Sequence, residues 1–428
     1  MLGLNFVDMT ITEKILARAA KKNWTKPGEI ITVAVDWCMT NDATTHVSID
    51  IFNDKLNTKK IYDPDRTIFV IDHNVPSESI KTTQVQNKMR KFAKDYNIKL
   101  HDGEGICHQI LLEKYVLPGQ IVVAADSHTC SMGAIGAFGT GVGSTDFVGV
   151  MVTGKTWLKV PETIKFELEG QFAQGVYARD LILKIIGDIK TDGATYMAME
   201  FGGPAIRKFT VDDRIVLCNL AVEAGAKNGI VEPDEVIEQY FKRIGRCYDK
   251  NMFFKSDTNC KYEKKHNYNL SILEPAIVSP HQVDNYDVVV KIEKDNIFID
   301  QGFIGSCNNG RIEELRIASK ILKNKKVKPK IKLIISPASR TVFLQALEEG
   351  LVEIFLNSGA IVLNPNCSVC WGACQAVLGE GEVMISTGTR NFKGRAGSPD
   401  SYIYLGSSAT VAASCVAGKI VDPRNLIK

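Results

Sequence analysis

Three cysteines stand in two turns that are rich in glycine, asparagine and proline. Cys307 lies in the turn 305–310, whereas Cys367 and Cys370 lie in the turn 364–370. Each turn follows a short, largely apolar segment, and such turns let side chains converge on a ligand. Three thiolates can hold three corners of a four-iron cluster, because thiolate sulfur is the usual ligand of iron–sulfur centres. The fourth iron then has no protein ligand and can bind substrate or water as a Lewis acid.

The cysteines taken alone also allow other sites. A Cys-x-x-Cys pair such as Cys367 and Cys370 occurs in redox pairs and in zinc half-sites as well. Cys374 could supply a fourth ligand beside Cys307 and this pair, which would make a closed four-cysteine zinc site without chemistry. The alternative of another class is therefore a non-catalytic, zinc-stabilised binding protein.

Charged, imidazole and thiol side chains follow several short β-prone segments, each soon after the segment ends. These segments and the residues after them are 67–71 with Asp72 and His73, 120–125 with Asp126, Ser127 and His128, 330–335 with Arg340, 360–363 with the cysteine pair, and 382–386 with Arg390 and Arg395. Mostly apolar strands that are separated by helical segments predict parallel sheets covered on both faces. Ligands of open α/β sheets bind beyond the carboxyl ends of the strands. The sequence therefore predicts an α/β enzyme whose site lies at these strand ends.

Five further segments have patterns that predict their secondary structure. Segment 11–20 predicts a helix capped by a threonine, and segment 212–226 predicts a helix with Asn219 and Glu223 on one face. Segment 163–168 alternates like an exposed strand. Two segments predict irregular structure, a polar turn at 37–44 and a lysine-rich connection at 240–269.

A glycine series follows the turn that contains Asp126. Its members are Gly133, Gly136, Gly139, Gly141 and Gly143. The series lacks the G-x-G-x-x-G spacing, which weakens the interpretation as an NAD-dependent dehydrogenase. Close packing, or a ligand that approaches the backbone, is the better interpretation.

Length and composition set the broad class. A chain of 428 residues is too long for one ordinary domain, and changes in sequence character predict three, at 1–160, 161–280 and 281–428. The net charge of +3 does not indicate a nucleic-acid partner. No apolar segment approaches the roughly 18–20 residues that span a membrane. The chain has eleven cysteines, and its first residues do not have the pattern of a signal peptide. These two observations predict reduced thiols in the cytoplasm.

Taken together, these motifs resemble the aconitase family of hydro-lyases. The resemblance runs from about residue 41 to the end of the chain and rests on motifs in the family's order. They are Asp72-His73, the segment 103–109, Asp126-Ser127-His128-Thr129, the segment 305–307, the Cys367/Cys370 pair and the segment 390–395.

The resemblance implies a fold and an assembly. The length is similar to that of the large subunits of the 3-isopropylmalate dehydratase and homoaconitase type. That similarity implies three parallel-sheet α/β domains around one 4Fe-4S cluster, without the mobile swivel domain. The swivel domain would be a separate small subunit, so we expect a heterodimer whose large chain is inactive alone.

The resemblance also assigns residues. Cys307, Cys367 and Cys370 would be the cluster ligands, and Cys374 has no role in the pattern. The catalytic set would be Asp72, His73, His108, Asp126, His128 and Glu223, and the substrate-binding set Asn41, Ser127, Asn219, Arg390 and Arg395.

Particular roles follow from the same resemblance. His73 would protonate the leaving hydroxyl, while Asp126 and His128 would form a carboxylate–imidazole pair. The two arginines would hold substrate carboxylates, for which guanidinium is suited by its paired planar hydrogen bonds. Thr389 departs from the family's pattern, which usually has asparagine there.

The implied reaction removes water from a hydroxylated di- or tricarboxylic acid and adds it back with the hydroxyl on the neighbouring carbon. The first choice of substrate is isopropylmalate, in leucine biosynthesis, with homoaconitate or 2,3-dimethylmalate as alternatives. The base that removes the proton next to a carboxylate would be a serine of the small subunit.

Overall fold

The computed structural model describes residues 8–56, 58–372 and 375–427. Its strands run along the whole described chain. They are β1 Ile30–Ala34, β2 Trp37–Asn41, β3 Thr67–Ile71, β4 Lys99–Asp102, β5 Ile121–Ala124, β6 Phe138–Gly141, β7 Lys155–Lys159, β8 Thr163–Glu169, β9 Ala198–Gly202, β10 Asn228–Val231, β11 Lys264–Asn269, β12 Ala276–Val278, β13 Tyr286–Val288, β14 Gln301–Ile304, β15 Lys332–Ile335, β16 Ile361–Val362, β17 Val383–Ser386 and β18 Tyr402–Gly406.

Helices cover the sheets and supply several site residues. The α-helices are α1 Ile11–Ala19, α2 Thr45–Lys55, α3 Ile80–Asp95, α4 Cys107–Lys114, α5 Ser144–Thr153, α6 Ala178–Ile189, α7 Val211–Leu220, α8 Glu235–Arg243, α9 Val289–Glu293, α10 Ser306–Asn309, α11 Ile312–Leu322, α12 Arg340–Glu348, α13 Leu351–Ser358, α14 Ser368–Trp371 and α15 Ser408–Ala417. Two 3-10 segments matter for the site, Ser127–Ile135 and Ala221–Ala224. Within the described ranges, no helix combines the length and the apolar character that crossing a membrane requires.

The first sheet is parallel and has the strand order β4-β3-β2-β5-β6. The prediction of a polar turn at 37–44 was wrong, because Trp37–Asn41 is the central strand of this sheet. Its polar end is buried, and Thr40 and Asn41 are both fully inaccessible to solvent. Their side chains form hydrogen bonds at the edge of the cavity described below. The polar residues at the end of this strand therefore belong to the site and are not exposed to solvent.

The second sheet is parallel as well, in the order β10-β9-β8-β11. The prediction of an exposed strand at 163–168 was wrong, because β8 is an interior strand and is almost wholly buried. Lys165 breaks its apolar pattern, but the Lys165 ammonium lies 2.7 Å from the buried carboxylate of Glu200. The segment 240–269 also differs from the prediction, since its end forms the edge strand β11.

The third sheet has the order β13-β12-β18-β17-β14-β15-β16. Its five strands from β18 to β16 are parallel, whereas β12 pairs antiparallel with both of its neighbours. Cys307, Cys367 and Arg390 follow β14, β16 and β17 respectively. The sequence analysis was correct that ligand-type residues gather at the carboxyl ends of parallel strands.

One apolar core joins the three sheets. It contains Met39 of the first sheet, Phe166 of the second and Phe303 of the third, all fully buried. The domain boundaries at 160 and 280 stay a prediction. The second sheet falls between them, while β12, which begins at Ala276, pairs within the third sheet.

Three members of the glycine series, Gly133, Gly139 and Gly141, lie where another part of the backbone approaches closely. An added Cβ would lie 1.7 Å from the Gly229 carbonyl oxygen at Gly133, and 2.1 Å from the Thr129 carbonyl oxygen at Gly139. Gly133 belongs to the 3-10 segment after the first sheet and Gly229 to the second sheet. Close packing of these two sheets is therefore the reason for glycine at Gly133.

We expect Gly133→Ala to lower the free energy of unfolding by about 1–3 kcal/mol or more, because the methyl group would collide with backbone that cannot move freely. Gly143→Ala is the matched control, since nothing lies within 4 Å of an added Cβ there. Urea unfolding followed by circular dichroism measures both changes. Equal stability of the two variants would contradict this account of the packing.

Candidate active site

One cavity of about 180 Å³ opens where the three sheets meet. Eleven of the predicted site residues line it: Asn41, His73, His108, Asp126, Ser127, His128, Cys307, Cys367, Cys370, Arg390 and Arg395. The other three, Asp72, Asn219 and Glu223, contact residues of this lining directly. The structure thus brings together residues that are more than 350 positions apart in the sequence.

The cysteine turns are held by backbone contacts. Gly305 donates its N–H to Thr387 Oγ1 at 2.9 Å, which ties the Cys307 turn to the segment after β17. Cys367 donates its N–H to the Asp72 carbonyl oxygen at 2.8 Å. The second cysteine turn is therefore bonded directly to the turn that carries His73.

Polar hydrogens surround the cysteine sulfurs. Asn219 Nδ2 lies 3.3 Å from Cys307 Sγ. Thr389 Oγ1 and Arg395 Nη2 lie 3.6 Å and 3.8 Å from Cys370 Sγ. Such donors stabilise thiolates and the sulfur of iron–sulfur clusters. Three buried thiols line one cavity, and the donors beside Cys307 and Cys370 fit a cluster held by three cysteines. Cys374 lies outside the described residues.

His73 is a buried imidazole with a carboxylate behind it. Its Nδ1 lies 2.8 Å from Asp72 Oδ1. The Asp42 carboxylate accepts the backbone N–H of His73 at 2.8 Å and so fixes the turn. Burial disfavours the charged imidazole, but the nearby carboxylates, Asp72 foremost, outweigh it and raise the pKa of His73 to about 9. His73 therefore carries a proton at neutral pH.

Asp126 lies at the centre of the polar wall. Its Oδ1 lies 2.8 Å from His108 Nε2, and its Oδ2 accepts from Asn41 Nδ2 at 3.0 Å. Burial alone would raise the pKa of Asp126, but the neighbouring imidazoles, His108 foremost, hold that pKa well below its usual range. Asp126 is therefore a carboxylate that orients other groups.

The carboxylate–imidazole pair of Asp126 and His128 stays a prediction, and the structure adds a nearer carboxylate for the His128 ring. His128 Nδ1 lies 3.8 Å from Asp126, whereas His128 Nε2 lies 3.0 Å from Glu223 Oε1. The reason is the 3-10 geometry that starts at Ser127, in which the His128 N–H, rather than its ring, contacts Asp126 at 2.9 Å. His128 is thus bonded to the second sheet's layer.

Asn219 and Glu223 lie near each other but on different elements. The predicted helix 212–226 ends earlier, because α7 stops at Leu220 and Glu223 lies in the 3-10 segment Ala221–Ala224. The tighter winding turns the two side chains apart. Asn219 faces Cys307, and Glu223 faces His128.

The two arginines differ in what they contact. Arg390 Nε lies 2.9 Å from Glu223, and Arg390 Nη2 donates to Ser127 Oγ at 3.1 Å. Arg395 lies within 4.0 Å of no carboxylate among the described residues, and its Nε, which is buried, has no hydrogen-bond partner there. Its guanidinium instead lies over the rings of Trp371 and Phe392. Arg395 is thus a cation at the cavity wall that can receive an anionic ligand.

Sequence analysis missed several contributors. Asp42 holds the His73 turn, and although it matches the family's pattern after Asn41, it was assigned no role. Cys107 lines the cavity and donates its N–H to Asp72 Oδ2 at 2.7 Å. Trp371 also lines the cavity, and its ring contacts that of His73 edge-on with the centroids 5.4 Å apart.

Known proteins share this chain's sequence along its whole length. A probable 3-isopropylmalate dehydratase large subunit of Methanothermobacter thermautotrophicus is 46% identical over 423 residues, which cover 98% of this chain and 100% of that protein. A probable methanogen homoaconitase large subunit of the same organism is 45% identical over 425 residues, 98% of each chain.

A solved structure shares the fold. The holo form of aconitase X from Thermococcus kodakaraensis superposes with a TM-score of 0.52 at 13% sequence identity, over 93% of this chain and 90% of that one. The family model described as Aconitase family (aconitate hydratase) matches residues 13–418. The chain therefore belongs to the aconitase family and is a hydro-lyase.

Proposed function

We propose that this chain is the large subunit of an iron–sulfur hydro-lyase that interconverts 2-isopropylmalate and 3-isopropylmalate by dehydration and rehydration, in the cytoplasm and for leucine biosynthesis. The observation that carries the proposal is the shared cavity, where three cysteines, a protonated His73 and the unpaired Arg395 face one another. An enzyme that expels hydroxide from a carboxylic acid needs a proton donor and a cation for the carboxylate.

Cys307, Cys367 and Cys370 would hold one 4Fe-4S cluster per chain. When bound, the cluster supplies a Lewis acid for the substrate hydroxyl. The protein's own task is to stabilise the thiolates, which Asn219, Thr389 and Arg395 do through the sulfur contacts above.

Proton delivery falls to His73. The Asp72 carboxylate accepts from Nδ1 and so orients the charged ring, whose Nε2 lies on the side of the cavity residue Asp126 and carries the proton for transfer. His108 and Asp126 form the opposite polar wall, and Asn41 keeps the Asp126 carboxylate in place.

The two arginines would bind the substrate carboxylates. Arg395 is the principal candidate because no carboxylate within the described part of the chain neutralises it. Arg390 is already paired with Glu223, so its positively charged guanidinium is held in a fixed orientation.

A small subunit would complete the site and supply the base. Support comes from the names of the relatives, which are large subunits that this chain matches over 98–100% of their length. The substrate's third group would contact that partner. Homoaconitate or 2,3-dimethylmalate are the competing substrates, and a homoaconitase large subunit is nearly as similar to this chain as a dehydratase one.

The first test is the metal content of the chain after reconstitution without oxygen. We expect about four irons and four sulfides per chain, and a loss of most of this iron in Cys370→Ser, because one ligand is removed. Cys415→Ser is the control, since Cys415 is equally buried but lies outside the cavity. Stoichiometric zinc without sulfide would contradict the proposal and support the zinc-protein alternative.

The second test is the pH dependence of turnover, measured with the small subunit present. His73 donates a proton only while charged, so kcat should be constant near neutral pH and fall tenfold per unit as the pH rises through about 9. His73→Gln should lose about 10²–10⁴-fold in kcat, as expected for removal of a general acid. A kcat that rises through that range would rule out His73 as the donor.

The third test is substrate binding with isopropylmalate, homoaconitate and 2,3-dimethylmalate. Arg395→Gln should raise KM by about 10–100-fold for the true substrate, because a charge-assisted hydrogen bond contributes about 1.5–3 kcal/mol. Lys393→Gln is the control, an exposed cation of the same turn. Unchanged KM in Arg395→Gln would show that the substrate carboxylate binds elsewhere.

A further inference from the structure

Two fully buried arginines contact the turn that carries Cys307. Arg311 directly follows this turn and is 1% exposed, while Arg179 comes from α6 and is 0% exposed. Neither residue lines the cavity. The motif comparison gave neither residue a role, so the reason for burying two cations here has to come from their contacts.

Arg311 bonds the cysteine turn to the first sheet's layer. Its Nη2 donates to the Cys307 carbonyl oxygen at 2.6 Å, and its Nη1 donates to the Asn308 carbonyl oxygen at 2.7 Å. Its Nε donates to Gln109 Oε1 on α4 at 2.9 Å. All three nitrogens are thus used, and two of them fix the peptide groups that precede and follow Asn308.

Arg179 bonds the same turn from the second sheet's layer. Its Nη1 donates to Asn308 Oδ1 at 2.5 Å and to Asn309 Oδ1 at 3.3 Å. Its Nη2 donates to the Gly388 carbonyl oxygen at 2.5 Å, in the segment that leads to Arg390. Arg179 therefore links the cysteine turn to the segment with the substrate-binding arginines.

Neither cation has a carboxylate partner. Among the described residues, no carboxylate oxygen lies within 4.0 Å of Arg179 or Arg311, and Glu314 and Asp212 act on them only at longer range. Arg214, equally buried, differs because Asp234 pairs with it at 2.6 Å. A buried guanidinium without an ion pair is costly, so a nearby negative charge would offset the cost. Beyond Glu314 and Asp212, the groups that would add such a charge include the thiol of Cys307 for both cations and the thiol of Cys370 for Arg179.

We propose that Arg179 and Arg311 are positioning residues that fix the Cys307 turn and offset the negative charge of the three thiolates with their cluster. This inference rests on the proposed function, because it requires a cluster at the cysteines. The arginines touch neither substrate nor iron. They act through the peptide groups of the turn and through their charge.

The test compares Arg311→Gln and Arg179→Gln with Arg214→Gln after reconstitution without oxygen. The first two should lose iron to a chelator about 10–100-fold faster than the unchanged chain, as is usual when a group behind a metal ligand is removed. Arg214→Gln, the matched buried arginine, should unfold at a lower temperature but lose iron at the original rate. Arg311→Lys keeps the charge and should lose iron at an intermediate rate.

A second readout separates charge from mere packing. Removing a positive charge disfavours the reduced cluster, so the reduction potential should become more negative in both glutamine variants and stay unchanged in Arg214→Gln. The lysine variants, Arg311→Lys and Arg179→Lys, should keep the original potential. They also serve as the test where a glutamine variant does not fold.

The outcomes distinguish two failures. If the unchanged chain takes up no iron and sulfide, the proposed function fails, and with it this inference. If the unchanged chain holds a cluster while both glutamine variants keep its iron and its potential, the inference alone is overturned. Lysine variants that lose iron as fast as Arg311→Gln and have a shifted potential would also overturn the charge role.

Discussion

The carboxylate of Glu223 joins the three layers of this protein at one point. It contacts the His128 imidazole at 3.0 Å and the Arg390 guanidinium at 2.9 Å. His128 follows the first sheet, Arg390 follows a strand of the third, and Glu223 belongs to the layer of the second. Burial alone would raise the pKa of Glu223, but its two partners lower it. The cavity depends on these contacts, because the Glu223 carboxylate and the Arg390 guanidinium would each be costly to bury without a partner.

In the rest of the site, too, buried charged groups are stabilised by neighbouring partners. Asp126 forms hydrogen bonds with His108 and Asn41, while Asp72 and Asp42 hold the ring and the backbone N–H of His73 respectively. Each of these three carboxylates has at least one partner within hydrogen-bond distance. Arg395 departs from this rule within the described residues, and so do the two arginines behind the Cys307 turn. The unpaired charges therefore surround the cysteines and the space for an anionic ligand.

The sequence predicted the parts of this design that follow from periodicity and motif order. The apolar segments 67–71 and 382–386 are strands β3 and β17, because runs of apolar residues fit sheets covered on both faces. The prediction failed where polar residues are buried with partners. Asn41 made a central strand look like a turn, and Lys165 made an interior strand look exposed. Local pattern carries no information about Glu200, which is 35 positions away from Lys165 and neutralises it.

The sequence also could not predict which residues of different elements form hydrogen bonds with each other. The motif pairs His128 with Asp126, but only the three-dimensional structure shows that Glu223 is a nearer carboxylate of the same ring. The bond from the Cys367 N–H to the Asp72 carbonyl oxygen is another such case. It joins backbone to backbone, so an exchange of side chains at either position leaves it intact, whereas an inserted or deleted residue in either turn would break it. The lengths of these two turns are therefore constrained independently of the site residues that they carry, and homologous proteins should have their insertions and deletions in segments farther from the cavity.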